Sequence, residues 1–476
     1  MHYHSRMAKK KNSSSKTGLT KKQKKEIAKA AKKNPVAAII IVIAVVAIVG
    51  VAAFFVLKNK PWESDGATSD PQTSSSLISE DSTHSHEVVS YTEGDCDPIS
   101  IHFIDRQEQY SGDSVYIKVG DNDILIDAGA RKGSAKAIET YLEDSSRTDY
   151  VSDNKLEYVI TTHAHQDHIA GMVGTKENGI PNGILYHYKV DNLIDFSYVD
   201  AQDGKNVINN ADPTNSKGDS RFVSYEGTYA SGSSTKSNST DLYKDYVTAR
   251  NYAINNGATW KTAGELCNSS TDYSYTVTLG KGVTMTLLYS FFYDHTSAEV
   301  TSLESNYTRS NFSDQNDYSV CLLFTQGSRH FLFTGDAEAY AEHSLVKYNS
   351  LPNVDLFKAG HHGSYTASSD ELLDAVDPKL CVVTCCAGNK EYASDPNHTF
   401  PAQEFINRIA KHTDRVYVTT LGSLEDKSHY EAFNGNVVVN YDSSCNETLG
   451  FSNNSTKLKD SAWFKANRTC PEQWAS

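Results

Sequence analysis

The feature that most constrains the fold of this chain is a run of metal-ligand side chains at residues 162–168, Thr-His-Ala-His-Gln-Asp-His. The run directly follows the apolar segment Leu156–Thr161, which is typical of a β-strand. His163 and His165 are two residues apart, so both can point to the same side of an extended backbone. The sequence therefore predicts a strand that ends beside a site where several ligands meet.

The last two ligands of the run, Asp167 and His168, lie where a helix is predicted to begin at Ile169. They turn toward a neighbouring position because the backbone leaves the extended conformation there. Such an array suits two adjacent metal ions, with imidazoles for one ion and a carboxylate plus an imidazole for the other. A lone histidine is usually an ordinary surface or core residue, but this combination rarely arises by coincidence.

Two later segments also place ligands at the ends of apolar strands. Asp336 follows a strand-like segment that ends at Thr334, and its two carboxylate oxygens could bridge two cations. His361 and His362 follow another such segment, which ends at Lys358. Each motif alone is weak, because Gly-Asp is a common turn and paired histidines occur by chance. In this order along the chain, they predict a binuclear metal site.

Strand and helix signals alternate on both sides of a polar region at about residues 178–311. This region is rich in Ser, Asn, Gly and Tyr, and we interpret it as an insertion that either shapes a substrate cleft or decorates the surface. The predicted strands are Ile99–Ile104, Ser114–Val119, Asp123–Asp127, Ser319–Thr325, His330–Thr334, Val354–Lys358, Leu380–Thr384 and Arg415–Thr419. The predicted helices are Ser134–Leu142, Glu338–Lys347, Ser369–Val376 and Pro401–Lys411.

The chain resembles the metallo-β-lactamase superfamily, and within it the extracellular hydrolase domains of ComEC-type competence proteins. The resemblance covers about residues 98–440, with the insertion as its main gap. It implies an α/β (α+β) fold, the αββα sandwich, in which two mixed sheets face each other with helices outside and metals at one sheet edge. The matching segments are residues 101–105, 112–114, 125–129, 163–168, 316–320, 334–336, 358–364 and 389–401.

The resemblance also implies a role for each ligand of the predicted site. Two histidines would hold the first metal, an aspartate and two histidines the second, and a further aspartate would bridge both. Zinc is favoured, with Mn or Fe as alternatives, because the ligands are histidines and carboxylates without cysteine. The histidines of the first metal would be His163 and His165. The second metal would be held by Asp167, His168 and either His361 or His362, and the bridging aspartate would be Asp336. The implied catalytic set is Asp167, Asp336, His361 and His362.

The sequence departs from the superfamily pattern at the first metal. Many members supply a third histidine shortly before the bridging aspartate, but residues 314–317 read Asp-Gln-Asn-Asp. His187 and His295 lie upstream without a family-like motif, so Asn316 or water could fill the position. Asp127 matches the acid that orients the metal loop in the family, although a turn residue after a strand is the alternative.

An uncharged segment of 22 residues, 36–57, precedes the predicted domain and could cross a membrane as a helix. A cleaved signal peptide is the alternative, but signal cores are shorter, and no Ala-x-Ala cleavage site lies within this segment or directly before Lys58. The basic residues before this segment place the N-terminus in the cytoplasm and the hydrolase domain outside the cell. The predicted organisation is a basic tail (1–35), a transmembrane helix (36–57), a flexible stalk (58–97), the hydrolase domain (98–442) and a C-terminal tail (443–476).

The charge distribution restricts the partners of the predicted domain. Residues 1–60 hold 14 Lys or Arg and one acid, which leaves 31 basic and 58 acidic residues, a formal charge of -27, on the rest of the chain. Such a domain would repel DNA unless its cleft is locally basic.

The eight cysteines form no Cys-x-x-Cys pair, so a structural zinc knuckle is not expected. An extracellular location permits disulfides, and Cys445 with Cys470 is the predicted pair. Cys381, Cys385 and Cys386 lie in an apolar run and are expected to be buried thiols.

These features predict a membrane-anchored extracellular hydrolase, a phosphodiesterase that uses metal-activated water. The resemblance points to a DNase as an alternative within the same class, and a lactonase or β-lactamase has little support. An alternative of another class is a catalytically idle surface module that binds carbohydrate or protein. The clustered ligands disfavour this module, because a non-catalytic fold has no physical need for several facing charged ligands.

Overall fold

The computed structural model describes the chain from Cys96 onward, with gaps. The predicted basic tail, the predicted transmembrane helix and nearly all of the predicted stalk lie outside the described residues. Within the described part, no helix is both long enough and apolar enough to span a membrane. The described residues are 96–200, 207–209, 240–268, 274–294, 315–389, 395–422 and 430–475.

The strands have the following bounds in chain order. They are β1 (Ile99–Phe103), β2 (Val115–Val119), β3 (Asn122–Ile126), β4 (Lys155–Ile160), β5 (Lys176–Glu177), β6 (Ile180–Pro181), β7 (Lys189–Asp195), β8 (Tyr198–Asp200), β9 (Val207–Asn209) and β10 (Thr259–Thr262). They continue with β11 (Tyr275–Gly280), β12 (Val283–Leu287), β13 (Leu322–Gln326), β14 (Arg329–Phe333), β15 (Leu356–Lys358), β16 (Cys381–Ala387), β17 (Val416–Gly422), β18 (Tyr430–Ala432), β19 (Val437–Tyr441) and β20 (Glu447–Phe451).

The α-helices follow or separate these strands. They are α1 (Ser134–Leu142), α2 (Gln166–Val173), α3 (Ile184–His187), α4 (Asp241–Asn255), α5 (Ala263–Asn268), α6 (Ala339–Tyr348), α7 (Asp370–Val376), α8 (Gln403–Ile409) and α9 (Ala462–Asn467).

Two eight-stranded sheets form the framework. The first has the order β10-β7-β4-β3-β2-β1-β19-β20, and the second has the order β11-β12-β13-β14-β15-β16-β17-β18. Both are mixed: β3, β4, β7 and β10 run parallel in the first sheet, and β14 to β17 run parallel in the second. Some antiparallel neighbours, such as β2 with β3 and β13 with β14, join by short turns, whereas the parallel strands are joined by crossovers that contain helices.

The two sheets face each other across an apolar core. The rings of Phe103 on β1 and Phe333 on β14 stack with centroids 6.2 Å apart, and those of Phe331 and Tyr441 lie 4.8 Å apart. Helices α6, α7 and α8 cover the outer face of the second sheet through a separate buried cluster that includes Leu345, Leu373 and Phe405. The arrangement is the mixed α/β sandwich that the resemblance implies.

The predicted strands and helices on either side of the polar region occur, with differences of up to three residues at their ends. The polar region itself carries regular secondary structure. Its strands β7 and β12 lie inside the two sheets, while β10 and β11 form sheet edges. Polar and apolar residues alternate along β11 and β12, which is the pattern of strands with one partly exposed face, and the sequence prediction missed this signal.

Candidate metal centre

The ligand-rich run lies in the loop between β4 and α2. His165 has an extended backbone (φ -68°, ψ 153°) and caps the N-terminus of α2. Its carbonyl accepts hydrogen bonds from the N–H groups of His168 and Ile169. The helix therefore begins three residues earlier than predicted, which places Asp167 in its first turn, where a carboxylate interacts favourably with the helix dipole.

Four buried side chains bring their ligand atoms within 4.8 Å of one another: Asp167, His168, Asp336 and His362. Asp336 Oδ2 lies 3.1 Å from His168 Nε2 and 3.2 Å from His362 Nε2. His362 Nε2 also lies 3.3 Å from Asp167 Oδ2. The structure thus brings His362, the second histidine of the pair, into the cluster predicted for the second metal.

These ligand atoms fit a cation. His168 Nε2, His362 Nε2 and both carboxylate oxygens of Asp336 are buried, and none makes a hydrogen bond with another described residue. Buried polar atoms without partners are costly, so several of them directed at one point require an explanation. A divalent metal ion would satisfy all four atoms, and two carboxylates with two imidazoles suit Zn, Mn or Fe.

The remaining predicted ligands lie on another side of the same carboxylate. His163 Nε2 lies 3.1 Å from His165 Nδ1 and 4.0 Å from Asp336 Oδ2. His361 Nε2 lies 3.9 Å from the same oxygen of Asp336. These three imidazoles lie near Asp336, but among the described residues they do not form a second tight cluster of ligand atoms with it.

Two upstream histidines were candidates for a third ligand of the first metal. His187 contacts Glu143 at 2.5 Å on the surface of the domain, away from the cluster, and His295 lies outside the described residues. Asn316 does lie beside the site, with its Nδ2 atom 3.2 Å from Glu338 Oε1 and 3.4 Å from His361 Nδ1.

Asp127 holds the ligand loop through its carboxylate. Its Oδ2 atom lies 2.7 Å from His168 Nδ1 and accepts a hydrogen bond of 2.7 Å from the Thr162 hydroxyl. Its Oδ1 atom accepts from the Thr162 N–H. A metal-binding histidine usually donates its other ring N–H to such a carboxylate, which directs the free nitrogen at the metal. This geometry favours the orienting role of Asp127 over that of a simple turn residue.

Sequence reasoning assigned no role to Asp113, Lys358 or Thr384. Asp113 is buried, lies 3.2 Å from His362 Nδ1, and accepts hydrogen bonds from the Lys358 ammonium and the Thr384 hydroxyl. The carbonyl of Thr384 lies 2.9 Å from His362 Nδ1. A charged lysine at the end of the apolar strand β15 is the signal that could have revealed this group, because a buried ammonium needs an acidic partner.

The electrostatics match a site built around positive charge. Burial disfavours ionisation of Asp336, but the His168 and His362 imidazoles outweigh it and hold the pKa of Asp336 well below its usual range. Burial likewise opposes charge on His168, but Asp336 and Asp127 raise its pKa to about 10. In the metal-free site these imidazoles carry the compensating charge, which a divalent cation would replace.

His163 differs from His168 in its charge state. Burial, with the neighbouring His168 and His165, holds the pKa of His163 well below its usual value. A neutral imidazole is the form that coordinates metal, so His163 is ready to bind without losing a proton.

The histidine pair occupies a strained turn. His361 and His362 have φ values of +44° and +53°, in the left-handed region that non-glycine residues rarely adopt. The His361 N–H donates to the Gly335 carbonyl at 3.2 Å, which fixes the turn to the loop that carries Asp336. The Ser364 hydroxyl pairs with Thr366 in the same turn, so its contacts are those of a capping residue.

Comparisons with known proteins agree with this geometry. Residues 108–234 match the sequence profile of the metallo-beta-lactamase superfamily. Curated relatives are ComE operon protein 3 of Bacillus subtilis (27% identical over 109 residues, 22% of this chain), Recombination protein 2 of Haemophilus influenzae (36% over 106 residues, 22%) and Competence protein ComA of Neisseria gonorrhoeae (34% over 114 residues, 24%). The matched segments span only 12% to 16% of the relatives' own lengths. Residues 108–234 are therefore similar to the metallo-beta-lactamase superfamily, and about a quarter of the chain is similar to parts of these competence and recombination proteins.

Solved structures give weaker matches. The metallo-beta-lactamase fold protein YhfI of Bacillus subtilis is 12% identical, with a TM-score of 0.34, and the match covers 72% of this chain and all of YhfI. CmlA, a diiron beta-hydroxylase of Streptomyces venezuelae, is 11% identical with a TM-score of 0.29, and the match covers 60% of this chain and 44% of CmlA.

Proposed function

We propose that this chain is a metal-dependent phosphodiesterase, held in the cell membrane by its N-terminal segment with the hydrolase domain outside the cell. The observation that carries the proposal is the buried cluster of Asp167, His168, Asp336 and His362, in which four polar atoms converge without hydrogen-bond partners among the described residues. Such a cluster is costly to keep in an idle fold, so it favours a catalytic metal site over the surface-binding module.

We further propose that the site holds two ions. Asp167, His168, Asp336 and His362 would hold one ion, and His163 and His165, with ring nitrogens 3.1 Å apart, would hold the other beside Asp336. When bound, divalent cations would supply Lewis acidity, which makes water nucleophilic near neutral pH and stabilises negative charge on a phosphoryl group.

His361 is the member of the histidine pair that can meet a substrate. Its side chain is 18% exposed, whereas that of His362 is fully buried. Burial opposes charge on His361, but Asp336 and Glu338 raise its pKa, and Glu338 Oε1 lies 3.1 Å from His361 Nδ1. The imidazolium form can therefore donate from Nδ1 to Glu338 and from Nε2 toward the cluster. We assign to His361 the stabilisation of a phosphoryl oxygen through its Nε2–H group.

The substrate class has two candidates. The acidic charge of the domain favours small or polymeric phosphoesters of the cell surface, because a strongly acidic protein attracts a DNA backbone poorly. The similarity to competence and recombination proteins favours DNA as the alternative. DNA would then require a cleft whose local charge differs from that of the whole domain.

The test combines metal analysis with two substrates. The full chain in detergent should contain up to two divalent ions and should hydrolyse bis(p-nitrophenyl) phosphate, and linear DNA serves to rank the alternative substrate. Asp336→Asn should lose metal and at least about 100-fold in rate, because this residue lies next to both ion positions.

A matched control is Asp355→Asn, which changes another buried aspartate at the opposite end of β15. Asp355 pairs with Arg329 and Lys379 and not with the cluster. It should leave metal content and activity near the wild-type level. A wild-type chain that binds no metal and cleaves neither substrate would contradict the proposal and support the surface-binding module.

The proposed membrane topology has a separate test. Protease added to intact cells should release the hydrolase domain while the basic tail remains protected. A domain that is cut only after the cells are lysed would place it in the cytoplasm and exclude an extracellular substrate.

A further inference from the structure

Two cysteines from opposite ends of the domain lie beside the turn between β13 and β14. Cys96 precedes β1, and Cys445 lies in the turn between β19 and β20. A Cβ atom built on Gly327, between β13 and β14, would lie 3.1 Å from Cys96 Sγ and 3.2 Å from Cys445 Sγ. Both sulfur atoms therefore contact the same small region, and both residues are buried, with 4% and 0% of their surface exposed.

The backbone around the two cysteines is already aligned. Strands β1 and β19 are antiparallel with Ile99 opposite Tyr441, and this register carries the chain on toward Cys96 and the β19–β20 turn. The Cys96 N–H donates to the Ser443 carbonyl at 3.4 Å, which continues the pairing beyond the strand ends. Sheet register therefore brings Cys96 close to the turn that carries Cys445.

A buried glutamine fixes both segments to the same support. Gln326 Nε2 donates to the Asp97 carbonyl at 2.8 Å, beside Cys96, and to the Asp442 carbonyl at 2.9 Å, in the turn that holds Cys445. The Cys445 thiol in turn donates to the Gln326 carbonyl at 3.8 Å. Gly282 and Gly327 leave room for the sulfur atoms, because a Cβ at Gly282 would lie only 2.6 Å from Cys96 Sγ.

We propose that Cys96 and Cys445 form a disulfide that joins the segment before β1 to the β19–β20 hairpin. Each thiol loses its proton, one S–S bond forms, and the two electrons reduce an exchangeable disulfide, such as oxidised glutathione, to two thiols. The inference uses the extracellular location of the proposed function, where such oxidants are present, but it does not depend on the hydrolase activity.

This pair replaces the one predicted from sequence. Cys445 is buried beneath the β13–β14 turn, whereas Cys470 is exposed in the C-terminal segment, where its thiol contacts the Pro471 carbonyl. Cys96, Cys445 and Cys470 are all thiols in the structure, but of these only Cys96 and Cys445 are buried beside the same turn. The sequence prediction followed the closeness of the two cysteines in a polar tail, but the register of β1 with β19 brings a more distant cysteine to Cys445.

The first test maps the bond in the full chain. The chain, reduced and unfolded in detergent and denaturant, is diluted into a glutathione redox buffer, and the remaining thiols are alkylated before proteolysis and mass spectrometry. We expect a disulfide-linked peptide pair that contains Cys96 and Cys445, with the other six cysteines alkylated. Alkylation of both residues, or a Cys445–Cys470 peptide pair, would overturn the proposal.

The second test measures stability. The bond would close a loop that includes nearly the whole described domain, so it should stabilise the folded state by restricting the unfolded chain. Cys96→Ser and Cys445→Ser should each lower the Tm of the oxidised protein by roughly 5 °C or more, and dithiothreitol should lower the wild-type Tm by a similar amount.

Cys470→Ser is the matched control and should keep both the wild-type Tm and its sensitivity to dithiothreitol. Equal sensitivity of Cys96→Ser and wild type to dithiothreitol would contradict the bond. Phosphodiesterase activity, measured in parallel, separates this result from the hydrolase proposal, because neither cysteine lies in the metal cluster.

Discussion

At the residue scale, the geometry of the metal cluster depends on two further buried carboxylates that contact its imidazoles. Asp127 lies 2.7 Å from His168 Nδ1, and Asp113 lies 3.2 Å from His362 Nδ1. Each acid fixes its imidazole so that Nε2 faces the cluster. The precision of the site therefore rests on residues behind the ligands.

We expect Asp127→Asn to weaken metal binding by about 10- to 100-fold without unfolding the domain, because the amide cannot hold His168 as firmly as a carboxylate does. Metal titration by calorimetry measures the change. The matched control is Asp149→Asn, since Asp149 pairs with His102 at 2.9 Å outside the cluster. Equal metal affinity in Asp127→Asn and the wild type would show that the orienting contact is unimportant.

The ligand residues could be predicted because they are consecutive in sequence or follow apolar strands directly. The choice between His361 and His362 could not, because it depends on two left-handed residues that turn the rings in different directions. The partnership of Asp113 with Lys358 was also hidden, since these residues meet only when the two sheets come together.

At the element scale, α2 approaches the loop after β3 unusually closely. Gly171 N–H donates to the Ala128 carbonyl at 2.9 Å, and a Cβ at this glycine would lie 2.0 Å from that carbonyl oxygen. The Ala128 N–H donates in return to the His168 carbonyl. The glycine thus allows the helix that carries His168 to pack against the loop that carries Asp127.

Gly171→Ala should push α2 away from this loop, lower the free energy of unfolding by about 1–3 kcal/mol and reduce metal content. Chemical denaturation and metal analysis test both effects. Gly133→Ala provides the control, because no atom lies within 4 Å of a Cβ at Gly133. A stable, fully metallated Gly171→Ala variant would refute the close-packing argument.

Helix α6 also carries a titrating carboxyl group, that of Glu342, which binds the loop after the histidine pair. Glu342 is fully buried and accepts hydrogen bonds from the N–H groups of Ser368 and Ser369. Burial outweighs these hydrogen bonds and raises the pKa of Glu342 to about 7. The folded state therefore keeps a proton that the unfolded chain releases near its ordinary, lower pKa.

The free energy of unfolding should consequently fall as pH rises between about 4.5 and 7, by up to about 3 kcal/mol, and level off above that range. Glu342→Gln should remove this slope, because the amide does not titrate. Denaturation at a series of pH values provides the measurement. The exposed Glu371→Gln should keep the wild-type slope, and the idea fails if both variants behave alike.

Element prediction succeeded where periodicity was strong and failed where the sheets end. The parallel strands β14 to β16 contain short runs of buried apolar residues, such as Phe331–Phe333 in β14, which sequence reveals well. The edge strands β10 and β11 are partly exposed and polar, so the same criteria grouped them with the surrounding loops.

At the scale of the whole molecule, the candidate metal cluster takes residues from both sheets. Asp167 and His168 follow the first sheet, whereas Asp336 and His362 follow strands of the second. A cation bound by all four residues would connect the two sheets. Because a ligand that binds only the folded state stabilises that state, the cation would raise the stability of the domain.

Chelation with EDTA should therefore lower the stability of the domain by about 3 kcal/mol when the metal had been present at about 100 times its Kd. Differential scanning calorimetry before and after restoring the metal measures the effect. Asp336→Asn should show little response to EDTA, because it has already lost metal. A chelator response of equal size in this variant would place the stabilising ion elsewhere.

The order of the first sheet has a consequence for how the protein is made. Strand β1 is the first strand of the domain to leave the ribosome, yet it lies between β2 and β19, and β19 is one of the last. For most of translation one edge of β1 has no native neighbour and can pair with other chains. Synthesis of β19 thus closes the edge of β1 that has been open until then.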